Sequence, residues 1–117
     1  MATDHDLIER GLRSAGVPFL VNDAMSLPSS WENIAVLGLD DNAAGEVDLS
    51  GALNATRQLS PHLTLALCHD TDHTPELAAA GVGLQLSGHT HGGQIALSGG
   101  NRIITIGRYG RQFNAGW

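Results

Sequence analysis

Aromatic residues are scarce in this chain of 117 residues, at 4% of the total. A core built without them must rest on leucine, valine, isoleucine and alanine, within an ordinary hydrophobic fraction of 42%. Cysteine is scarcer still. Cys68 stands alone, which excludes an intramolecular disulfide. No apolar run approaches the ~18 residues that a membrane-spanning helix requires. The opening "MATDHDLIER" is acidic and lacks the basic-then-apolar pattern of a secretory signal, so the chain reads as soluble. Basic residues are few as well: 6 against 12 acidic ones, a net charge of −6 and a pI near 5.3. That balance argues against a nucleic-acid surface, which would show a basic patch or stripe. It is permissive for a bound cation.

At this length the chain is at most one domain, on a scale of about 100–200 residues per domain. Folding would bury about 60–70% of its unfolded surface. "DHDLIERGLRSAG" has helical spacing: Asp4 or Asp6 can cap it, Leu7, Ile8 and Leu12 share an apolar face, and Gly16 can end it. "VPFLVN" reads as a brief strand confined to an edge by Pro18, and "DAMSLPSSWEN" as a loop. "IAVLGL", "LTLALCH" and "VGLQLSG" are apolar runs suited to buried strands. Between them, "LSGALNATRQL" and "TPELAAAG" have helical character, with Gly51 weakening the first. "IALSGG" and "IITIG" can form two short strands around a Ser98–Gly99–Gly100–Asn101 turn. Strands alternating with helices give an α/β domain built around a sheet.

Ligands in open α/β sheets collect beyond the carboxyl ends of the strands. His69 follows "LTLALC" and His89 and His91 follow "VGLQLSG", so three imidazoles from separate segments can converge there. A metal needs that convergence, with each nitrogen about 2.0–2.1 Å from a zinc-like ion. In an extended segment His89 and His91 would face one side, with Thr90 turned away. Glycine at 88, 92 and 93 allows close approach and left-handed turns. On spacing alone, a glycine-rich bend carrying two surface histidines fits as well as a metal site.

"LQLSGHTHGGQ", preceded by "LALCHDTDHTPELAAAGVG", resembles the C-terminal half of calcineurin-like metallophosphoesterases, in particular a bacterial phosphodiesterase branch. "LIERGLRSAGVPFLVN" and "IAVLGLDD" also resemble what precedes that half, so the likeness covers nearly the whole chain. The resemblance implies an α/β fold that is part of a four-layer α/β/β/α sandwich. It implies a pair of divalent ions (manganese, zinc or iron) about 3.5–4 Å apart that clamp a phosphate and activate water. Carried onto this chain, His69 and His89 would ligate one ion and His91 the other. Gly88, Thr90, Gly92, Gly93 and Gln94 would shape the loop.

The family's DxH, GDxxD and GNHD segments have no counterpart before residue 69; "TDHD", with Asp4 and His5, only echoes the last. Residues 1–117 are therefore expected to be a partial domain, truncated at both ends and inactive by itself. The parent activity is hydrolysis of a phosphate ester or pyrophosphate, in a phosphate-containing small molecule or a lipid-linked substrate. The location expected is cytoplasmic or peripheral to a bacterial membrane. Unpaired sheet edges would favour self-association. The alternative is a non-catalytic metal-binding or interaction module using the three histidines.

Other residues have plainer readings. Cys68 is expected to be buried and His62 to lie on the surface. His73, four residues after His69, is expected as a loop histidine. Asp40 and Asp41 can cap their own loop or approach the site. Arg102, Arg108 and Arg111 can attract a phosphate-bearing substrate but are expected to be solvated, and Trp31 and Trp117 to pack.

Overall fold

The computed structural model describes residues 4–91, 95–96, 102–104, 107–109 and 112–113. Helix α1 (Asp4–Ser14) leads into β1 (Asp23–Ser26) and β2 (Ile34–Gly38). Then follow α2 (Leu49–Leu59), β3 (Leu63–Leu67), α3 (Thr74–Ala79) and β4 (Leu84–Leu86). The four strands form one sheet in the order β1-β2-β3-β4. β1 is antiparallel to β2, while β2, β3 and β4 are parallel. A separate antiparallel pair joins β5 (Ile95–Ala96) to β6 (Arg102–Ile104). The fold is α/β, as the alternation of strands and helices implies.

The three apolar runs become β2, β3 and β4 because each is flanked by segments that cannot continue it. Asp48 opens α2 by accepting the Gly51 amide at 2.8 Å. A Cβ on Gly51 would collide with that carboxylate, so the glycine that weakens the helical pattern also makes its cap possible. Ser60 closes α2 in a left-handed conformation, φ 47°. Register places Ala35, Leu37, Thr64 and Ala66 on one face of the sheet, where all four are buried. With Leu39, Ala52, Cys68 and Leu77, the apolar members of this face make the core.

Two expectations change at the first strand. The edge strand lies at Asp23–Ser26, inside the segment read as a loop, and residues 17–22 form none. Pro18 has no N–H for a ladder. Asn22, at φ 52°, turns the chain, with its side chain donating to the Glu46 carbonyl and accepting the Asp40 amide. Leu20 fills the space over Gly38, where a Cβ would stand 2.6 Å from the Leu20 Cβ.

α1 begins at Asp4, so Asp4 and Asp6 lie within its first turn, where carboxylates favour the helix dipole. Gly16 ends it at φ +75° as expected, with the Val17 amide reaching the Leu12 carbonyl. None of its residues is buried, and the face carrying Leu7 and Ile8 is exposed. Trp31, read as packing, is 58% exposed on a single 3-10 turn. The turn expected at 98–101, Trp117 and Arg111 lie outside the described residues. No helix among the described residues is long and apolar enough to cross a membrane.

Candidate functional site

The loops at the carboxyl ends of β2, β3 and β4 are laced together. The Gly88 amide donates to the His69 carbonyl at 2.9 Å. The next carbonyl, that of Asp70, accepts from both the Ser87 hydroxyl at 3.0 Å and the Gln85 amide nitrogen at 3.3 Å. Gln85 also donates to Ser87 at 2.7 Å. These bonds fix where the segment after β3 stands relative to the segment after β4. They bring two of the three singled-out histidines together across 20 residues of sequence: His89 Nδ1 lies 3.3 Å from His69 Nε2. The rings meet edge to face, with centroids 5.0 Å apart and planes at 70°.

His91 is exposed, and no group of three His, Cys, Asp or Glu side chains is gathered for an ion among the described residues. The expectation that His89 and His91 sit in an extended segment does not hold. Both adopt left-handed backbone, φ 65° and 52°, and the Thr90 amide closes a tight turn on the Gly88 carbonyl at 2.7 Å. A side chain with a Cβ adopts this region at a cost of about 1–2 kcal/mol per residue. Such strain concentrates at sites where geometry serves function. Thr90 is buried, so the bend turns it inward between two more open histidines. Gly88 leaves ordinary room beside His69, 3.9 Å from a built Cβ to Nδ1. Gly92, Gly93 and Gln94 lie outside the described residues.

The paired rings open on a cleft of about 260 Å³ lined by Asp41, Asn42, Ala43, His69, Asp70, Asp72, His89 and Gly107. Asp41 takes both roles open to it in the sequence. Its carboxylate accepts the amides of Ala44 at 2.7 Å and Ala43 at 2.8 Å, and it faces the cleft. Those two amides, foremost that of Ala44, hold its carboxyl below the ordinary value; burial opposes them, and positive charge on His69 and His89 adds to them. Asp40 stays with its own loop, accepting the amides of Asp41 and Glu46.

Asp70 is buried and accepts the Asp72 amide at 2.8 Å. Sequence reasoning passed over Asp70, Asp72 and Asn42. The signal available was position, and only for Asp70, which directly follows His69 at the carboxyl end of β3. His73 bonds Asn42 at 3.3 Å and so borders the cleft instead of lining it. Cys68 is buried as expected, and burial pushes its thiol up to about 11, with the Asp70 charge contributing. His62 is exposed at the opposite end of the sheet. His5 packs edge-on against Phe19, 5.8 Å between centroids, and lines no part of the cleft.

Comparison with known proteins agrees with the motif. No family model matches the chain, and no solved structure matches it. A search of curated proteins finds the uncharacterized metallophosphoesterase YkuE of Bacillus subtilis, 40% identical over 84 residues, or 71% of this chain. The chain spans 28% of that relative's length. The resemblance to metallophosphoesterases first legible around "SGHTHGGQ" thus extends over most of the chain.

Proposed function

We propose that this chain is the C-terminal part of a binuclear, metal-dependent phosphoesterase that hydrolyses a phosphate ester or pyrophosphate. The observation that carries the proposal is the separation of the two imidazole nitrogens, 3.3 Å. Two nitrogens each about 2.0–2.1 Å from one tetrahedral ion stand about 3.3–3.4 Å apart. A direct hydrogen bond between the rings has the same separation, and a bound ion would take its place. The donor set also suits the group. Neutral imidazoles bind zinc, iron and manganese-type ions, and Asp41, Asp70 and Asp72 surround them with negative charge.

In this reading His69 and His89 hold one divalent ion and His91 the other, with Gly88, Thr90, Gly92, Gly93 and Gln94 shaping the loop. The bound ions would supply Lewis acidity at the phosphorus centre. The chain's own residues orient what binds. Asp70 and Ser87 keep the His69 segment in register with the His89 segment, and the left-handed turn at 89–91 aims the histidines. A small phosphate-containing or lipid-linked substrate fits a cleft of about 260 Å³ that is open to solvent. Completion of the site requires carboxylates from a further sheet, packed on the more open side of β2-β3-β4 in a four-layer sandwich. Alone, the chain is expected to be inactive.

Cobalt titration monitored by visible absorption tests this reading, alongside hydrolysis of bis(4-nitrophenyl) phosphate. His69→Ala and His89→Ala should each abolish one tight site, and turnover should need a longer protein containing this segment. One ion, unaffected by His91→Ala and without turnover in the longer protein, would favour a non-catalytic module. No cobalt bound by either protein would sink both.

A further inference from the structure

The cleft has a third wall that the histidine motif does not supply. Gly107 lines it together with the loops that carry His69 and His89. Two independent features fasten that wall to Asp72. The Asp72 carboxylate accepts the Tyr109 amide at 3.3 Å. At Gly107, φ is +90° and a Cβ would stand 2.8 Å from Asp72 Oδ1, so the carboxylate approaches the backbone as closely as only glycine permits. Between these two contacts sits Arg108. It is exposed, and its guanidinium stacks over the Tyr109 ring at 5.3 Å.

The charge around the cleft gives this arrangement a purpose. Asp41, Asp70 and Asp72 all line it, which favours cations and repels a phosphate. An anionic substrate needs a compensating positive group besides the ions, and a guanidinium presents paired donors matched to phosphate oxygens. We propose that Asp72 is a positioning residue: it holds the 107–109 segment against the cleft so that Arg108 takes a non-bridging oxygen of the substrate phosphate. This inference rests on the phosphoesterase reading, and it assigns that site a phosphate-binding residue from outside the histidine motif.

The test uses inorganic phosphate as the probe, titrated calorimetrically with and without cobalt, together with amide hydrogen exchange at Tyr109. Asp72→Ala should speed Tyr109 exchange at least tenfold and weaken phosphate binding at least tenfold, while Asp72→Asn, which keeps an acceptor oxygen, restores most of both. Arg108→Ala should weaken phosphate by a similar factor and leave Tyr109 exchange and the cobalt band unchanged. Arg108→Lys should recover only part of the affinity. Unchanged Tyr109 exchange in Asp72→Ala, or unchanged phosphate affinity in Arg108→Ala, overturns the proposal. So does a protein that binds cobalt but no phosphate. Absence of the cobalt band in the unsubstituted protein counts against the metal site instead, and the Tyr109 exchange and metal-free phosphate titrations still decide the role of Asp72 and Arg108.

Discussion

The two faces of the main sheet carry opposite kinds of residue. One face carries Ala35, Leu37, Thr64 and Ala66, all buried and mostly small, with Ala52 of α2 and Leu77 of α3 in the same core. Small side chains let a helix lie close to a sheet. The other face carries Ile34, Val36, Leu63, Leu65, Leu67, Leu84 and Leu86, placed together by parallel register. On it Leu63, Leu67 and Leu86 are 39%, 45% and 50% exposed. Large leucines left in water forgo about 25 cal/mol for each Å² they could bury. A sheet with large apolar residues on its more open side is suited to a further layer. The contrast is therefore between a covered face and a more open one.

The comparison is tested hardest by equal truncations on the two sides. Leu37 is fully buried, and Leu37→Ala should cost about 2–5 kcal/mol in urea or guanidinium unfolding. Leu67→Ala removes the same atoms from the open face and should cost less than about 1 kcal/mol. Equal losses would mean that something covers Leu67 in solution. Next in size is association. Exposed apolar surface of this kind drives self-association, so the double substitution Leu67→Glu, Leu86→Glu should lower the sedimentation coefficient at high concentration. It should also reduce binding of an apolar dye. No change in either would show that the open face is not the contact.

A smaller effect separates the two ends of the sheet. Left-handed non-glycine residues occur at both: Glu32 and Asn33 before β2, His89 and His91 after β4. Glu32→Gly and His89→Gly should each relieve strain, with a gain of up to about 1 kcal/mol. Only His89→Gly should then lose the cobalt band. Loss of metal binding in Glu32→Gly as well would mean that strain at one end is transmitted to the other.

How far the sequence carried this picture differs by element. α2 was legible from the helical spacing of "LSGALNATRQL", although its Asp48 cap was not, and β2 to β4 because each apolar run is short and punctuated. β1 was not, since "DAMS" has neither alternation nor β-branched residues; it is a strand because it pairs with Ile34–Gly38, a tertiary cause. At the site, His69 and His89 were legible from their places at strand ends. Their 3.3 Å approach depends on Gln85 and Ser87 bonding the Asp70 carbonyl, which no local pattern announces. The turn at His89 and His91 was misjudged because non-glycine residues rarely take positive φ. Asp72 was invisible because its partners, Gly107 and Tyr109, lie 35 and 37 residues away.

The smallest expected effect concerns acid. Asp41 at the cleft and Asp48 at the start of α2 are both held below the ordinary value of 3.8, chiefly by backbone amides: Ala44 and Ala43 for the first, Gly51 for the second. A carboxyl depressed on folding contributes stability that is complete above its unfolded value and is lost as pH falls through its folded value. Both should therefore weaken the fold below about pH 4 and leave it unchanged near neutrality. Only Asp41 also feels positive charge from His69 and His89. Asp41→Asn should flatten the acid limb of a stability profile, and His69→Ala with His89→Ala should flatten part of the same limb. Asp48→Asn should flatten its own share regardless of the histidines. If removing both histidines leaves the Asp41 share untouched, the carboxylate is held by its loop alone, and the cleft and the helix start obey one rule.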